Sequence, residues 1–250
     1  MKFFVPPNHP RAESLYTREL LVHGFEKGLV VPEGLIAHGR GEAFDYLLGE
    51  RTTDVACIAA QSACACLLLS SYPVISVNGN VAALCAKDIA KLSRITGAAV
   101  EVNLFYRTKQ RELLIQRELE NNGVNKVFGI QSTERESIPG LKSQRRHIDR
   151  GGIYKADTIL VPLEDGDRAE SLVNMGKTII SIDLNPLSRT SKVAQISIID
   201  NITRALPAMI SITKRFKLRK TQLEMKRILK KFDNKKNLSE SLKIIKAGNI

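Results

Sequence analysis

The chain has 250 residues, of which 43% are hydrophobic and 26% charged. That composition excludes whole-chain disorder, a collagen-like repeat and a cysteine-stapled scaffold. The net charge of +12 sits at one end: residues 211–250 hold 13 Lys+Arg against 3 Asp+Glu, and the remaining 210 residues are close to neutral. A basic total of this kind is no argument for nucleic-acid binding by the body of the protein, and no nucleic-acid partner is expected.

Pro10 to Lys27 reads as the first helix, with Pro10 preset for its first turn and Gly28 able to close it. An apolar run ending at Ala37 follows, with Leu35–Ala37 read as a strand leading into His38-Gly39-Arg40-Gly41. Glu42 to Leu48 then reads as a short helix closed by Gly49. Asp54 is placed to cap an Ala/Cys-rich helix over roughly 54–70. Residues 55–86 contain no charged side chain. The helical part of that stretch is about 25 Å long at 1.5 Å per residue, short of a bilayer core, so it reads as a buried helix and no membrane partner is expected.

Cys57, Cys64, Cys66 and Cys85 form no CxxC pair and have no histidine at ligand spacing; they read as small buried hydrophobes in a reducing compartment. The opening MKFFVPPNHP is too short and too rich in proline for a signal-peptide core, and a cytoplasmic location is expected.

The alternation continues with a strand over Val74–Val77 that breaks at Asn78-Gly79-Asn80. A helix over Val81–Ile95 is closed by Gly97, and a strand over Ala98–Leu104 follows. A charged amphipathic helix spans Thr108–Asn121 and an apolar run spans Lys126–Ile130. Residues 131–153, polar, basic and punctuated by Gly and Pro, read as a long loop. Thr158–Leu163 is a strand, Asp167–Met175 a helix closed by Gly176, and Thr178–Ile182 and Ile196–Ile199 are strands. From Ile202 the chain is helical into the basic tail.

Strands alternating with helices predict an α/β fold: a Rossmann-like, mostly parallel sheet with helices on both faces. Residues 1–210 form that domain, and 211–250 a basic helical extension. The extension reads as an amphipathic helix with a solvated basic face, docking on the body or on a second subunit and peripheral to catalysis, so that removing residues 237–250 leaves turnover within a few-fold.

Parallel sheets bind ligands beyond the carboxyl ends of their strands. Six predicted strands end in polar clusters: 38–42, 78–80, Asn103 with Arg107, 164–167, 183–190 and 200–201. Glycine permits close backbone approach, helix N-termini offer free N–H groups and Arg supplies bidentate donors, a set suited to a nucleotide or phosphate-rich ligand. Each cluster taken alone reads equally as a turn, a cap or a solvated loop, and His38 alone as a structural histidine. Neither a Walker loop nor a full GxGxxG is present.

These residues lie in blocks that resemble the archaeal-type phosphopantothenate synthetase (4-phosphopantoate–β-alanine ligase) family. The matching stretches are His9 to Ser14 with Arg18, GLIAHGRGEAFDYLLGE (34–50), PVISVNGNVAAL (73–84), EVNLFYRT (101–108), ADTILVPLEDGDRAESLV (156–173), IDLNPLSRT (182–190) and IIDNITRA (198–205). The resemblance implies a homodimeric ligase of coenzyme A biosynthesis. It joins 4-phosphopantoate to β-alanine, splits ATP to AMP and pyrophosphate through an acyl adenylate, and uses Mg²⁺. By motif, the ATP set is Arg18, Arg40, Asp183, Leu184, Asn185, Arg189, Thr190, Asp200 and Asn201.

Within that set Arg40 and Arg189 suit the phosphates and Asp183 and Asn185 the nucleoside. Arg107 is the candidate for the 4-phosphate. Asn78, Asn80 and Asn103 suit the pantoyl or β-alanine groups, and His38 is a proton acceptor for the β-alanine ammonium. Two other classes stay open on the residues alone: a dinucleotide-dependent oxidoreductase, and a nucleic-acid-binding module working through the tail.

Overall fold

The computed structural model describes residues 6, 8, 9, 11–130 and 134–248. In chain order the elements are α1 (Ala12–Glu26), α2 (Pro32–Leu48), α3 (Asp54–Leu69), β1 (Pro73–Val77), α4 (Gly79–Thr96), β2 (Ala99–Val102), α5 (Lys109–Asn121), β3 (Val127–Phe128), β4 (Arg135–Ser137), β5 (His147–Asp149), β6 (Thr158–Pro162), α6 (Gly166–Asn174), β7 (Thr178–Ile182), α7 (Arg189–Val193), β8 (Ile196–Ile198), α8 (Ile202–Arg219), α9 (Gln222–Lys231) and α10 (Asn234–Ala247).

Six strands form one parallel sheet in the order β3-β2-β1-β6-β7-β8. The chain winds outward in both directions from β1 and β6, as in doubly wound nucleotide-binding folds. Side chains alternate across the sheet. Ile75, Val77, Leu160, Ile180 and Ile182 face a core built with α3, α4 and α8. Val74, Ile159, Val161 and Ile179 face a second core with Leu172 of α6, Ala194 and the 138–156 segment. The burial of both faces explains why these strands read as continuous apolar runs.

Several sequence expectations change in the folded chain. Pro10 lies outside the described residues. Leu35–Ala37 is not a strand: α2 is a single helix from Pro32 at its start to Gly49 in the left-handed region (φ 83°), so His38-Gly39-Arg40-Gly41 lies mid-helix. Thr53, not Asp54, caps α3, accepting the Ala56 N–H at 3.1 Å. The long loop is partly ordered: β4 and β5 pair antiparallel, with a 3-10 turn at Gln144–Arg146 between them; residues 131–133 lie outside the described set. The five-residue α7, capped by Ser188, is too short to show periodicity in the sequence.

The tail is three helices. α8 runs unbroken across residue 211, so the division at 210 falls inside a helix. Met225, Ile228, Leu229 and Phe232 pack onto the core beside α3, while Leu238, Ile244 and Ile245 cover Leu48, Leu184 and Ile199. Asn237 and Ser241 are buried, and Asn237 Nδ2 donates to the Ser197 carbonyl at 2.8 Å. Residues 237–247 thus pack against the body, through Leu238, Ile244, Ile245 and Asn237.

All four cysteines are free. Cys64 and Cys85 are buried, and burial pushes both thiols up to about 12; Cys57 and Cys66 are half-buried. Among the described residues no helix is long and apolar enough to cross a membrane.

Candidate active site at the carboxyl edge of the sheet

The strand ends carry, along the sheet edge, Asn103 after β2, Asn78 after β1, Glu164 after β6, Asp183 after β7 and Asp200 after β8. Asn78 caps α4 by accepting the Val81 N–H at 3.1 Å, and its Nδ2 donates to the Leu163 carbonyl at 3.0 Å. That bond crosses the point where the winding direction reverses. Leu163 has φ 52°, a left-handed conformation unusual for a branched residue, at the end of β6.

After β7, Asp183 organises the turn. It accepts the Asn185 N–H at 2.9 Å and the Ser188 hydroxyl at 2.5 Å. Burial pushes its carboxyl above the ordinary range, against those donors and Arg40 across the gap. Leu184 is buried among Leu48, Ile199 and the α10 side chains. Asn185 Oδ1 accepts the Leu187 N–H at 2.9 Å. Thr190 donates to the Glu164 carbonyl at 2.8 Å, tying the β7 turn to the β6 turn. Arg189 is exposed and lies against Gly166; a Cβ there would collide with its side chain.

After β8, Asp200 accepts the Thr52 hydroxyl at 2.6 Å and pairs with Arg204 at 2.8 Å. Burial raises its pKa against those donors. Asn201 caps α8 and donates through Nδ2 to Asp45 at 2.9 Å.

Helix α2 closes this edge from the other side. Its exposed Arg40 reaches Asp183 electrostatically, and Gly41 faces Leu184. His38, Glu42 and Asp45, at i, i+4 and i+7, share one face. With Asn201 and Arg204 they line a cavity of about 300 Å³ between α1, α2 and the start of α8. Glu42 is taken by Arg18 at 2.9 Å and by the Ser14 hydroxyl at 2.7 Å. Burial pushes the Glu42 carboxyl up, but those hydrogen bonds and the Arg18 charge prevail and hold it below its usual value. His38 Nε2 is buried with no partner among the described residues, and burial lowers its pKa, favouring the neutral ring able to accept a proton.

The structure separates the remaining candidates from this group. Asn80 donates to the Gly34 carbonyl at 2.8 Å, joining α4 to α2. Asn103 is fully buried and donates to the Arg145 and His147 carbonyls, each at 3.2 Å, pinning the 134–149 segment over the edge. Arg107 is buried on Glu112 at 2.9 Å, and that pairing and burial occupy the group expected to meet a phosphate. Arg145 inserts below, onto Glu164 and Asp165, and the fully buried Arg168 shares Glu164.

Glu42 carries no role in the sequence beyond its place in the 38–42 cluster, and Asp45, Arg204, Arg145 and Arg168 carry no signal of their own. The first two were discoverable from the helical spacing 38–42–45 once 32–48 is read as one helix. The others meet their partners only through tertiary contact. Among the described residues no three His, Cys, Asp or Glu side chains cluster as a metal site.

Residues 55–248 match the family described as Phosphopantothenate/pantothenate synthetase. The 4-phosphopantoate–β-alanine ligase of Thermococcus kodakarensis is 50% identical over 239 residues, 95% of this chain and 90% of that protein. The protein of the same name from Methanosarcina mazei is 50% identical over 238 residues, 95% of this chain and 92% of the relative. The one from Methanospirillum hungatei is 54% identical over 202 residues, 81% and 82% of the two chains. Half of the residues are shared along nearly the whole length, and this chain belongs to the phosphopantothenate/pantothenate synthetase family.

Proposed function

We propose that this protein is an ATP-dependent ligase that joins 4-phosphopantoate to β-alanine, forming 4′-phosphopantothenate, AMP and pyrophosphate for coenzyme A biosynthesis. The observation that carries the reading is the convergence of Arg40, Asp183, Asn185, Arg189, Thr190, Asp200 and Asn201 on one sheet edge, in a chain half identical to ligases of that name.

A carboxylate is a poor electrophile. Attack of its oxygen on the α-phosphorus of ATP expels pyrophosphate and leaves a mixed anhydride. The β-alanine ammonium gives up one proton to become a nucleophilic amine, its nitrogen attacks the acyl carbon, AMP departs, and a second proton leaves the nitrogen as the amide forms. Charge grows on the phosphates in the first step, and Arg40 and Arg189, exposed on facing elements, are the donors suited to offset it; a bound Mg²⁺ would add positive charge to the same end. Asp183 and Asn185 suit the nucleoside, and Leu184 packs beneath it. Arg18, Asp200 and Asn201 hold the α1, α2 and α8 walls in register. His38, neutral and unpartnered, is the acceptor for the β-alanine proton. Asn78 and Asn80 form the floor of the acid site, while Asn103 and Arg107 hold the 134–149 segment above it.

The exposed apolar side chains of α1 and α2 point to a homodimer: Tyr16 and Ile36 are 62% and 72% exposed, with Tyr46 and Leu47 beside them. A second copy covering these helices would also shield the cavity they line. Light scattering reads the oligomeric state directly.

The purified protein, given ATP, Mg²⁺, 4-phosphopantoate and β-alanine, is expected to produce phosphopantothenate with AMP and pyrophosphate. ADP and orthophosphate would replace the adenylate by an acyl phosphate.

A further inference from the structure

The turn between β6 and α6 is fixed from several sides. Leu163 stands in the left-handed region at φ 52°, a conformation that a bulky residue keeps where its surroundings over-determine it. Its N–H donates to the Ile182 carbonyl at 3.1 Å, and its own carbonyl accepts Asn78 Nδ2 at 3.0 Å. The next side chain, Glu164, is 2% exposed.

Two buried guanidinium groups close on that carboxylate. Arg145, from the turn between β4 and β5, meets Oε1; Arg168, in the first turn of α6 and fully buried, meets Oε2. Arg145 also reaches Asp165 at 2.6 Å. Arg168 has Ser76 Oγ as a further acceptor at 3.2 Å, while its Nε and Nη2 are buried with no partner among the described residues. A carboxylate that compensates two buried cations is held tightly in place.

The main chain of the same turn faces the nucleotide candidates. The Glu164 carbonyl accepts the Thr190 hydroxyl at 2.8 Å. Two residues on, Gly166 seats the Arg189 side chain so closely that there is no room for a Cβ.

The other end of the clamp belongs to the opposite half of the sheet. The 134–149 segment hangs from β2 and the residue after it: Asn103 donates to the Arg145 and His147 carbonyls, and Glu101 accepts the Asp149 N–H at 3.1 Å. In the sheet β1 lies between β2 and β6, so Arg145 carries this segment across the reversal point, about 10 Å, to the β6 turn. Lifting the segment withdraws one counter-ion from Glu164 and loosens the carbonyl on which Thr190 rests.

We infer that Glu164 is a positioning residue for the nucleotide: clamped by Arg145 and Arg168, it sets Thr190 and Arg189 for ATP and makes ATP affinity depend on the seating of the 134–149 segment. This deepens the ligase reading above and takes from it the nucleotide at the β7 turn.

The test uses the full chain. In the wild type, saturating ATP without the acid substrate should slow amide hydrogen exchange at Ile138, Arg146 and Arg150, which are hydrogen-bonded within the segment, by roughly 5–30-fold. Coupling is reciprocal, so Arg145→Met and Glu164→Gln should each raise the Kd and KM for ATP by about the same factor. Their kcat at saturating ATP and their KM for β-alanine should stay within a few-fold of wild type. Arg145→Lys should recover part of the ATP affinity, and the double variant should be little worse than either single one, because the two residues act as a unit. Exchange that ATP leaves unchanged overturns the inference, and that measurement does not depend on any variant folding. So does a variant with a lowered Tm and a wild-type KM for ATP, or one in which the KM values for ATP and β-alanine rise equally. A wild type that binds ATP with the exchange response but ligates no acid supports the inference and defeats the ligase reading, so the two fail separately.

Discussion

Asn201 at the start of α8 donates through Nδ2 to Asp45 of α2 at 2.9 Å, and Arg204, one turn further along α8, pairs with the same carboxylate. One buried acid on α2 therefore fixes the position of the strand edge after β8 relative to the helix that carries His38 and Arg40. Replacing Asp45 by Ala takes the shared acceptor from two half-buried donors, Asn201 and Arg204, and leaves Arg204 only Asp200. The expected cost is about 2–4 kcal/mol, or roughly 5–15 °C in Tm for a chain of this size. Asp45→Asn, which keeps an acceptor, should cost about half. Thermal denaturation of the two variants checks the order.

Arg40→Ala and Arg189→Ala should each lower kcat/KM for ATP by about 10–150-fold, the worth of one charge-assisted hydrogen bond, with Tm within a few degrees of wild type. Both side chains are exposed and neither closes an ion pair among the described residues, so folding loses little with either. Lysine at either site should rescue only partly because it lacks the planar fork. A lowered Tm with unchanged ATP dependence would make them structural.

Two glycines should respond in opposite ways to alanine. Gly39 lies inside α2 with nothing within 4 Å of a Cβ, so Gly39→Ala should stabilise by about 0.5–1 kcal/mol. Gly79→Ala forces a methyl into the Leu29 carbonyl and the Arg111 guanidinium. It should cost about 1–3 kcal/mol and lower activity as well. Urea unfolding of both variants, with assays at saturating ATP, measures the contrast.

Glu101 is fully buried on β2, accepting the Ile153 N–H at 2.6 Å and the Asp149 N–H at 3.1 Å. Burial pushes its carboxyl up to about 7, against those two amides and the charge of Arg168. The folded chain therefore holds a proton that the unfolded chain, near 4.5, has released. The stability from this group is present in full below the unfolded value and is lost as pH rises through about 7. The wild type should lose stability relative to Glu101→Gln between pH 5 and pH 8. Denaturant midpoints of both proteins across that range test the slope.

Truncation before Asn237 should do more than trim charge. It removes Leu238, Ile244 and Ile245 from over Leu184 and leaves the Ser197 carbonyl without Asn237. Each half-buried apolar side chain is worth roughly 1 kcal/mol, so Tm should fall on the order of 10 °C. Because Leu184 lies between Asp183 and Asn185, KM for ATP should rise in the fraction that stays folded. A truncated protein with wild-type Tm and KM would return the tail to the periphery.

The α/β class, most strand and helix positions and the polar strand ends after β1, β6, β7 and β8 were legible because each rests on local chemistry. β-branched runs such as Thr178–Ile182 can only be buried strands, Gly97 and Gly176 close helices in the left-handed region, and Asn, Asp and Gly cluster where the chain turns. The 34–48 stretch misled because Gly39 and Gly41 carry a local signal for a turn. Packing of α2 onto Leu184 and the ion pairs of Glu42 and Asp45 overrule that weak preference. Nothing local distinguishes Arg107 from Arg111, four residues apart on one amphipathic segment. One pairs with Glu112 and the other donates to the Leu29 and Tyr106 carbonyls beside the first turn of α4, a difference set by which surfaces β1, α4 and α5 bring together. Sequence alone determined which residue types stand at the strand ends. Only the tertiary structure decided which of their charges are already neutralised and which are left to meet a ligand, because that depends on partners distant in the chain.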